Sequence, residues 1–462
     1  MSAEPQDLPA STNDDSFAGA IREVLRVAIP LMISAGTFSL VLFVDRTLLL
    51  WHDGQSMAAS MAAGNIFWVS ACLPVGIASM TGAIIGQHIG AGEDHKVGRV
   101  LWQSVFMALM FVPLYVALAI GAESLFVAMG QPSELVPLEA TYLRFLMLAA
   151  IGVVLETALS GFFSGTERTR VVMWVSIASS TLNFVLDLIL IFGFGPVPSL
   201  GIAGAAIATA ISLWFKAGCF AWLILRPRYE PTYAIRAGAG IDWPVLRNLL
   251  YFGLPTGLMY VAESSGFAAI ILRIGRLGDV PLRATTMAIN FNMIAFIPLI
   301  GVSIAASVLT GKHLLESGSR RASRCAWAAL AVGIAYASVW VVAYFVFPDQ
   351  LIGFYARDTD QANTIDAIRI AKSLLPFVSL FLLLDTVQIV LAGALRGAGD
   401  TWFVLLSGAV ASASAIAVGI WLEPVEGALQ WWWWTIAGWI GLLAVAMTAR
   451  FWQGSWKKMR MV

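Results

Sequence analysis

Residues 57–85 read MAASMAAGNIFWVSACLPVGIASMTGAII, without one Asp, Glu, Lys or Arg, and residues 86–92, GQHIGAG, follow directly. A helix needs about 20 apolar residues to cross the hydrocarbon core of a bilayer, so this stretch predicts one complete membrane span ending in a turn. Working outward, apolar runs bounded by charges or by Gly and Pro clusters recur at about 27–50, 100–120, 137–164, 171–192 and 202–225. A polar stretch at 226–243 interrupts them. Six more runs follow near 245–272, 283–310, 325–347, 373–395, 402–421 and 431–452. The pattern predicts twelve spanning helices, and an even number puts both termini on one side.

Composition points the same way. Hydrophobic residues make up 59% of the 462, charged residues 12%, and the mean hydropathy is +0.80. A soluble domain is about a quarter charged. The net charge of zero offers no basic tail to nucleic acid. Cys72, Cys219 and Cys325 all lie within apolar runs, so no disulfide framework or metal-ligand spacing is present. Residues 1–20 are polar, with Glu4, Asp7, Asp14 and Asp15, and lack the basic start, apolar core and cleavage site of a signal peptide. They are expected to form a short disordered cytoplasmic lead.

Basic residues set the orientation. With the N-terminus inside, 19 Lys and Arg fall in cytoplasmic segments and six in outer ones: Arg273, Arg276, Arg283, Arg357, Arg369 and Lys372. Arg46, Arg144 and Lys216 fall within or beside spans. That bias is what the positive-inside rule expects, although the loop holding Arg273, Arg276 and Arg283 runs against it locally. Trp431 to Trp434 then open the last helix at the outer interface, where indoles favour the headgroup boundary.

Self-comparison shows an internal repeat. A shift of 225 positions lays Pro30 on Pro255, Gly76 on Gly301, Gly86 on Gly311, His88 on His313, Arg99 on Arg324 and Trp102 on Trp327. A shift of 232 lays Gly161 on Gly393, Gly165 on Gly397 and Thr169 on Thr401. The difference is taken up by the longer outer loop at 348–372. Parallel repeats predict two bundles that rock about a shared cavity. This favours a transporter over a channel built from identical subunits.

Several segments together resemble the multidrug and toxic compound extrusion (MATE) transporters. They are Pro30 to Asp45; Gly86-Gln87-His88-Ile89-Gly90-Ala91-Gly92; Asn183 with Asp187; the Gly201 to Thr209 opening of helix 6; Gly253-Leu254-Pro255 with Glu263; and Asp385-Thr386-Val387-Gln388 with Leu395 to Thr401. The likeness runs from about Val24 to Ala449, and Glu263 with Asp385 is most similar to the NorM-type branch. It implies an all-α membrane protein: twelve transmembrane helices in two pseudo-symmetric six-helix bundles around a central cavity, of MATE/MOP type. The expected organisation is an N-lobe at 21–225, a cytoplasmic linker at 226–243, a C-lobe at 244–452 and a cytoplasmic tail at 453–462.

Acids inside the membrane mark candidate chemistry. A carboxylate at mid-bilayer costs about 2.5–3.5 kcal/mol on insertion scales, so it faces a cavity or a partner. At roughly 1.5 Å per residue, Asp45 lies about 28 Å beyond Arg26 and Asp187 about 25 Å beyond Arg170, at matching depth in the first bundle. Asn183 sits one turn below Asp187 on the same face. These oxygens suit a small hard cation or a network that changes on protonation. The resemblance implies that they form the first-lobe H⁺ or Na⁺ coupling site, with Thr209 adding an oxygen. In the second half, Glu263 and Asp385 lie near the midplane. The resemblance implies that they line the second-lobe cavity, with Gln388, and bind Na⁺, H⁺ or a cationic substrate. No acid of this set has a counterpart in the other half: Glu263 falls on Phe38, Asp385 on Val153 and Asp45 on Ile270.

Plainer readings stand beside these. Asp45 and Asp187 could pair with Arg46, Lys216 or loop amides, and Glu263 and Asp385 could be satisfied by Gln388 or a helix carbonyl. Arg46, directly after Asp45, and His52 depart from the small or apolar residues usual there. Glu156 is either a functional intramembrane acid or a side chain that snorkels to the cytoplasmic surface. Pro30, Pro74, Pro255, Pro298 and Pro376 are either hinges or packing breaks.

The reading that unites these features is a monomeric antiporter in the bacterial inner membrane, both termini cytoplasmic. It expels small organic cations in exchange for H⁺ or Na⁺ and needs no cofactor, nucleotide or nucleic acid. A lipid-linked oligosaccharide flippase would show a basic cavity instead. A membrane-embedded lipid-modifying enzyme would need His or Ser pairs in the bilayer, yet His52, His88, His95 and His313 all lie in or beside loops. A passive channel would carry current without exchange.

Overall fold

A computed structural model describes residues 16–353 and 362–462. Residues 1–15 of the expected disordered lead, and Arg357, lie outside the described residues. Residues 17–20 are not lead but the first turn of a helix, capped by Ser16, whose Oγ accepts from the Gly19 amide at 3.0 Å.

Among the described residues, twelve helices are long and apolar enough to cross a membrane. The first half comprises α1 (Phe17–His52), α2 (Gly54–Gly90), α3 (Val97–Met110) with α4 (Val112–Ile120), a short α5 (Ala122–Ala128), α6 (Val136–Gly165), α7 (Thr169–Phe192) and α8 (Gly201–Ile224). A short α9 (Glu230–Tyr233) lies in the connection. The second half comprises α10 (Trp243–Gly275), α11 (Asp279–Glu316), α12 (Ser319–Val346), a short α13 (Pro348–Gly353), α14 (Ala362–Ala398), α15 (Thr401–Trp421) and α16 (Ala428–Gln453). Together α3 and α4 make one crossing, broken at Phe111 where Pro113 in the next first turn withholds an amide.

The repeat in sequence becomes a repeat in packing. In the first half α2 lies on α6, α6 on α8 and α1 on α7; in the second α11 lies on α14, α14 on α16 and α10 on α15. The bundles join through a related pair of contacts, α1 on α11 and α10 on α2. Because lipid tails are as apolar as the helices, association depends on close approach at small residues. The repeat-related glycines supply it. A Cβ on Gly161 would lie 2.9 Å from Thr81 Cβ across the α2–α6 contact, and one on Gly393 would lie 2.5 Å from the Ser303 carbonyl oxygen across the α11–α14 contact.

The seam between bundles is tight only toward the end that carries the termini. There Gly76 faces Gly257 and Thr256, Gly86 faces Val308, Gly90 faces the Lys312 backbone, and Gly301 faces Leu31 and Met32. Toward the far end, a Cβ on Gly64 of α2 would meet nothing within 4 Å. Among the described residues, the hydrogen bonds and ion pairs between α1–α8 and α10–α16 run from the Cys72–Ser264 contact at 3.6 Å toward the termini. The molecule is therefore joined at the terminal end and unzipped at the other.

Candidate functional site

Two polar sites lie inside the spans, one in each bundle. In the first, Asp45 of α1, Asn183 and Asp187 of α7 and Thr209 of α8 converge. Asp45 is 4% exposed, Asn183 1% and Asp187 0%. The Thr209 hydroxyl donates to Asp45 Oδ2 at 3.3 Å. With the Asn183 amide turned so that its nitrogen faces the acids, it donates to Asp45 Oδ1 at 3.1 Å and Asp187 Oδ2 at 3.2 Å. The opposite orientation would set an amide oxygen against two carboxyl groups. Asp187 Oδ1 is buried without a partner. A buried acceptor left open is costly, so this oxygen is the point where the cluster has capacity for a proton or a cation.

Of the alternative partners for these acids, Lys216 is engaged elsewhere. Lys216 pairs with Glu156 at 2.7 Å, a half-submerged bridge between α8 and α6. Glu156 thus has a structural partner rather than a free path to the surface. Arg46 makes no ion pair with Asp45 among the described residues. His52 instead ties the far ends of α1 and α8 together: Nδ1 lies 3.0 Å from Asp53 Oδ2, and the ring sits against Gly201, whose φ of +52° and close contact leave no room for a side chain.

In the second bundle, Gln388 Nε2 of α14 donates to Glu263 Oε1 of α10 at 3.1 Å. Asp385, 7% exposed, lies on α14 one turn before Gln388. Arg396, further along α14, donates to Ser303 Oγ at 3.2 Å and lies 5.9 Å from the Tyr260 ring centroid. The two sites share no residue, and one half of the molecule holds each.

A third set of polar contacts sits at the terminal end and was not apparent from the sequence. Glu23 of α1 accepts from His313 Nε2 of α11 at 2.7 Å and from Arg321 of α12 at 2.7 Å. Lys312 reaches Glu167, beyond α6, at 2.5 Å. Gln87 donates to the Gly397 carbonyl at 2.9 Å and accepts the Met461 amide at 2.8 Å, while Asn248 donates to the Met461 carbonyl. Gln87 and Lys312 are repeat mates, and each crosses to the opposite bundle. The tail is therefore part of the seam: Trp456 and Met461 are buried, and Trp456 stacks on Phe451. Glu23, His313 and Cys325 bring three metal-type donors within 4.8 Å. Arg321 already neutralises that carboxylate, so the set acts as an ion-pair lock. The one available signal was the His88–His313 match, which marks position but not partner.

The fold and the intramembrane acids define an integral, multi-pass membrane transporter rather than an enzyme. The chain matches the MatE family over residues 30–189 and 255–421. It is 30% identical to the multidrug resistance protein NorM of Burkholderia vietnamiensis, over 93% of each chain. It is 27% identical to a probable NorM of Rhizobium meliloti, over 89% of this chain and 88% of the relative. A crystal structure of a MATE in complex with MaL6 superposes with a TM-score of 0.86 at 21% identity, covering 95% of this chain and 98% of that one. The chain belongs to the MatE family.

Proposed function

We propose that this chain is a secondary multidrug exporter that exchanges organic cations for H⁺ or Na⁺ by alternating access. The reading rests above all on the buried Asp45–Asn183–Asp187–Thr209 cluster, with its unpartnered Asp187 Oδ1. The relatives' names, multidrug resistance proteins, supply the substrate class. The excess of Lys and Arg on the terminal side argues that this side is cytoplasmic in the inner membrane. The closed terminal end and looser far end then describe an outward-facing state of a monomer whose N-lobe (21–225) and C-lobe (244–452) rock about the seam, the linker (226–243) and tail (453–462) lying beneath.

In this account the ion enters from outside and occupies the Asp45–Asp187 pair. The two carboxyls, the Asn183 amide and the Thr209 hydroxyl suit either H⁺ or Na⁺, the amide presenting its nitrogen to the protonated pair or its oxygen to Na⁺. Glu263 and Asp385, with Gln388 holding Glu263, present the negative charge that attracts an organic cation. Ion occupancy of one lobe and cation release from the other are coupled through the seam, because only differential binding to the two states moves the equilibrium. The test is ethidium efflux from cells lacking their own pumps. The wild type is expected to export in a gradient-dependent way, and Glu263→Gln with Asp385→Asn to lose export. Full export by that double variant overturns the substrate assignment.

A further inference from the structure

A groove of about 270 Å³ opens on the outer surface of the first bundle, between α3, α6 and α8 near their terminal ends. Its walls are apolar, with Trp102, Leu155, Trp214, Gly218, Leu225 and Ile235 among them. It faces the surroundings, not the seam, and shares no residue with either polar site. Leu225 and Ile235 form its lip on the terminal side, and the indole of Trp102 closes that lip by donating to the Ile235 carbonyl at 2.7 Å.

The residues next to the lip are arginines. Arg226 follows Leu225 and stacks over the Trp222 ring at 4.0 Å; Arg236 follows Ile235, and its guanidinium reaches back to the Leu225 carbonyl at 3.5 Å. Arg168 and Arg228 add charge nearby, both resting on the Tyr229 ring at 4.7 and 4.6 Å. Among the described residues, none of the four pairs with a carboxylate. Glu230, in the same connection, is taken up by the backbone amides of Arg236 and Ala237, at 2.7 and 3.2 Å. Elsewhere at this end Lys312, Arg321 and Arg450 all have acidic partners. Unpaired guanidinium groups at the rim of an apolar slot, at headgroup depth, match one ligand chemistry: an acyl chain carrying an anionic phosphate.

We propose that this groove is a binding site for an anionic glycerophospholipid, one acyl chain lying in the slot and the phosphate held between Arg226 and Arg236. A zwitterionic lipid brings its own cation to the rim and gains less there. Aromatic stacking holds the Arg226 guanidinium in place before the lipid arrives, which lowers the ordering cost of binding. The α8 wall leads from the groove to Thr209, so a lipid seated there braces the helix that completes the first polar site.

Native mass spectrometry of the purified protein, titrated with phosphatidylglycerol, cardiolipin or phosphatidylethanolamine, tests the site without reference to transport. The anionic lipids are expected to be retained more strongly. Each of Arg226→Gln and Arg236→Gln is expected to weaken them about five-fold, leaving phosphatidylethanolamine unchanged. Gly218→Leu, which fills open space in the slot, should weaken all three lipids. Lys457→Gln, an exposed basic residue away from the groove, controls for charge alone, and thermal unfolding checks that each variant is folded. Equal retention of anionic and zwitterionic lipid overturns the proposal, as does a double arginine variant that binds like wild type. Displacement by glycerol phosphate as effective as by lipid would mean a bare anion site, and also overturns it.

Discussion

Replacing Gly76 by Ala should pry open the terminal end of the seam. A Cβ on Gly76 would stand 2.6 Å from the Gly257 amide nitrogen and 3.0 Å from the Thr256 carbonyl carbon, and closer still to Gly257 Cα. Non-bonded carbon atoms rest about 3.5–4.0 Å apart, so α2 and α10 must separate by about 1 Å. Both obstructing groups are backbone and cannot swing aside. Overpacking of this kind costs about 1–3 kcal/mol. The cost falls on the state closed at this end and is absent once the bundles part, so about 2 kcal/mol moves the balance about thirty-fold. The readout is the rate at which a maleimide modifies Val308→Cys, a buried seam position, in a background without native cysteines. That rate should rise by roughly the same factor. Gly64→Ala, whose methyl meets nothing within 4 Å, should label like the parent. If Gly76→Ala labels no faster than Gly64→Ala while remaining folded, the seam does not open at this point and the reasoning fails.

Three further outcomes follow from the same contacts. Glu23→Gln removes the negative charge shared by His313 and Arg321 and should cost about 1–3 kcal/mol of closed-state stability, read as faster Val308→Cys labelling. Exchanging charges as Glu167→Lys with Lys312→Glu should label more slowly than either single change, since the swap restores the pair; additive single effects would count against a direct bridge. Deleting Met461 and Val462 removes the bond to Gln87 Oε1 and should also speed labelling, with ion dependence of transport retained; unchanged labelling would mean the tail is not part of the closure. At the far end, Glu423 is held below the usual carboxylate range by the Trp432 indole N–H, then by Arg273. A depressed folded value means its contribution is complete above about pH 4.3, the unfolded value, and is lost as pH falls through the folded value. Thermal unfolding between pH 6 and pH 3 should show a decline that Glu423→Gln flattens, and an equal decline in both proteins would refute the assignment.

Much of the architecture was legible because the bilayer imposes length and polarity on each span. The stretch at 57–85 became the central part of α2, and the repeat of Gly161 and Gly165 in Gly393 and Gly397 became equivalent helix contacts. Depth along a helix is also readable, since rise per residue is fixed; Asp45 and Asp187 were placed level, and they meet. Arg46 follows Asp45 directly in sequence yet forms no ion pair with it among the described residues, since successive residues on a helix point about 100° apart. The lock between Glu23 and His313 was hidden because the two residues are 290 positions apart. Its charges read as ordinary cytoplasmic flanks. The buried Met461 was hidden likewise, since residues 453–462 read as a cytoplasmic tail rather than as part of a seam.

The central claim, that the Asp45–Asp187 pair carries the coupling ion, is tested most directly in reconstituted vesicles. A pH gradient without Na⁺ and a Na⁺ gradient at constant pH are imposed separately, on wild type and on Asp187→Asn. The account predicts that wild type exports ethidium under at least one of the two gradients. It also predicts that Asp187→Asn loses gradient-driven export while still binding ethidium in detergent. Undiminished gradient-driven export by Asp187→Asn and by Asp45→Asn would contradict it.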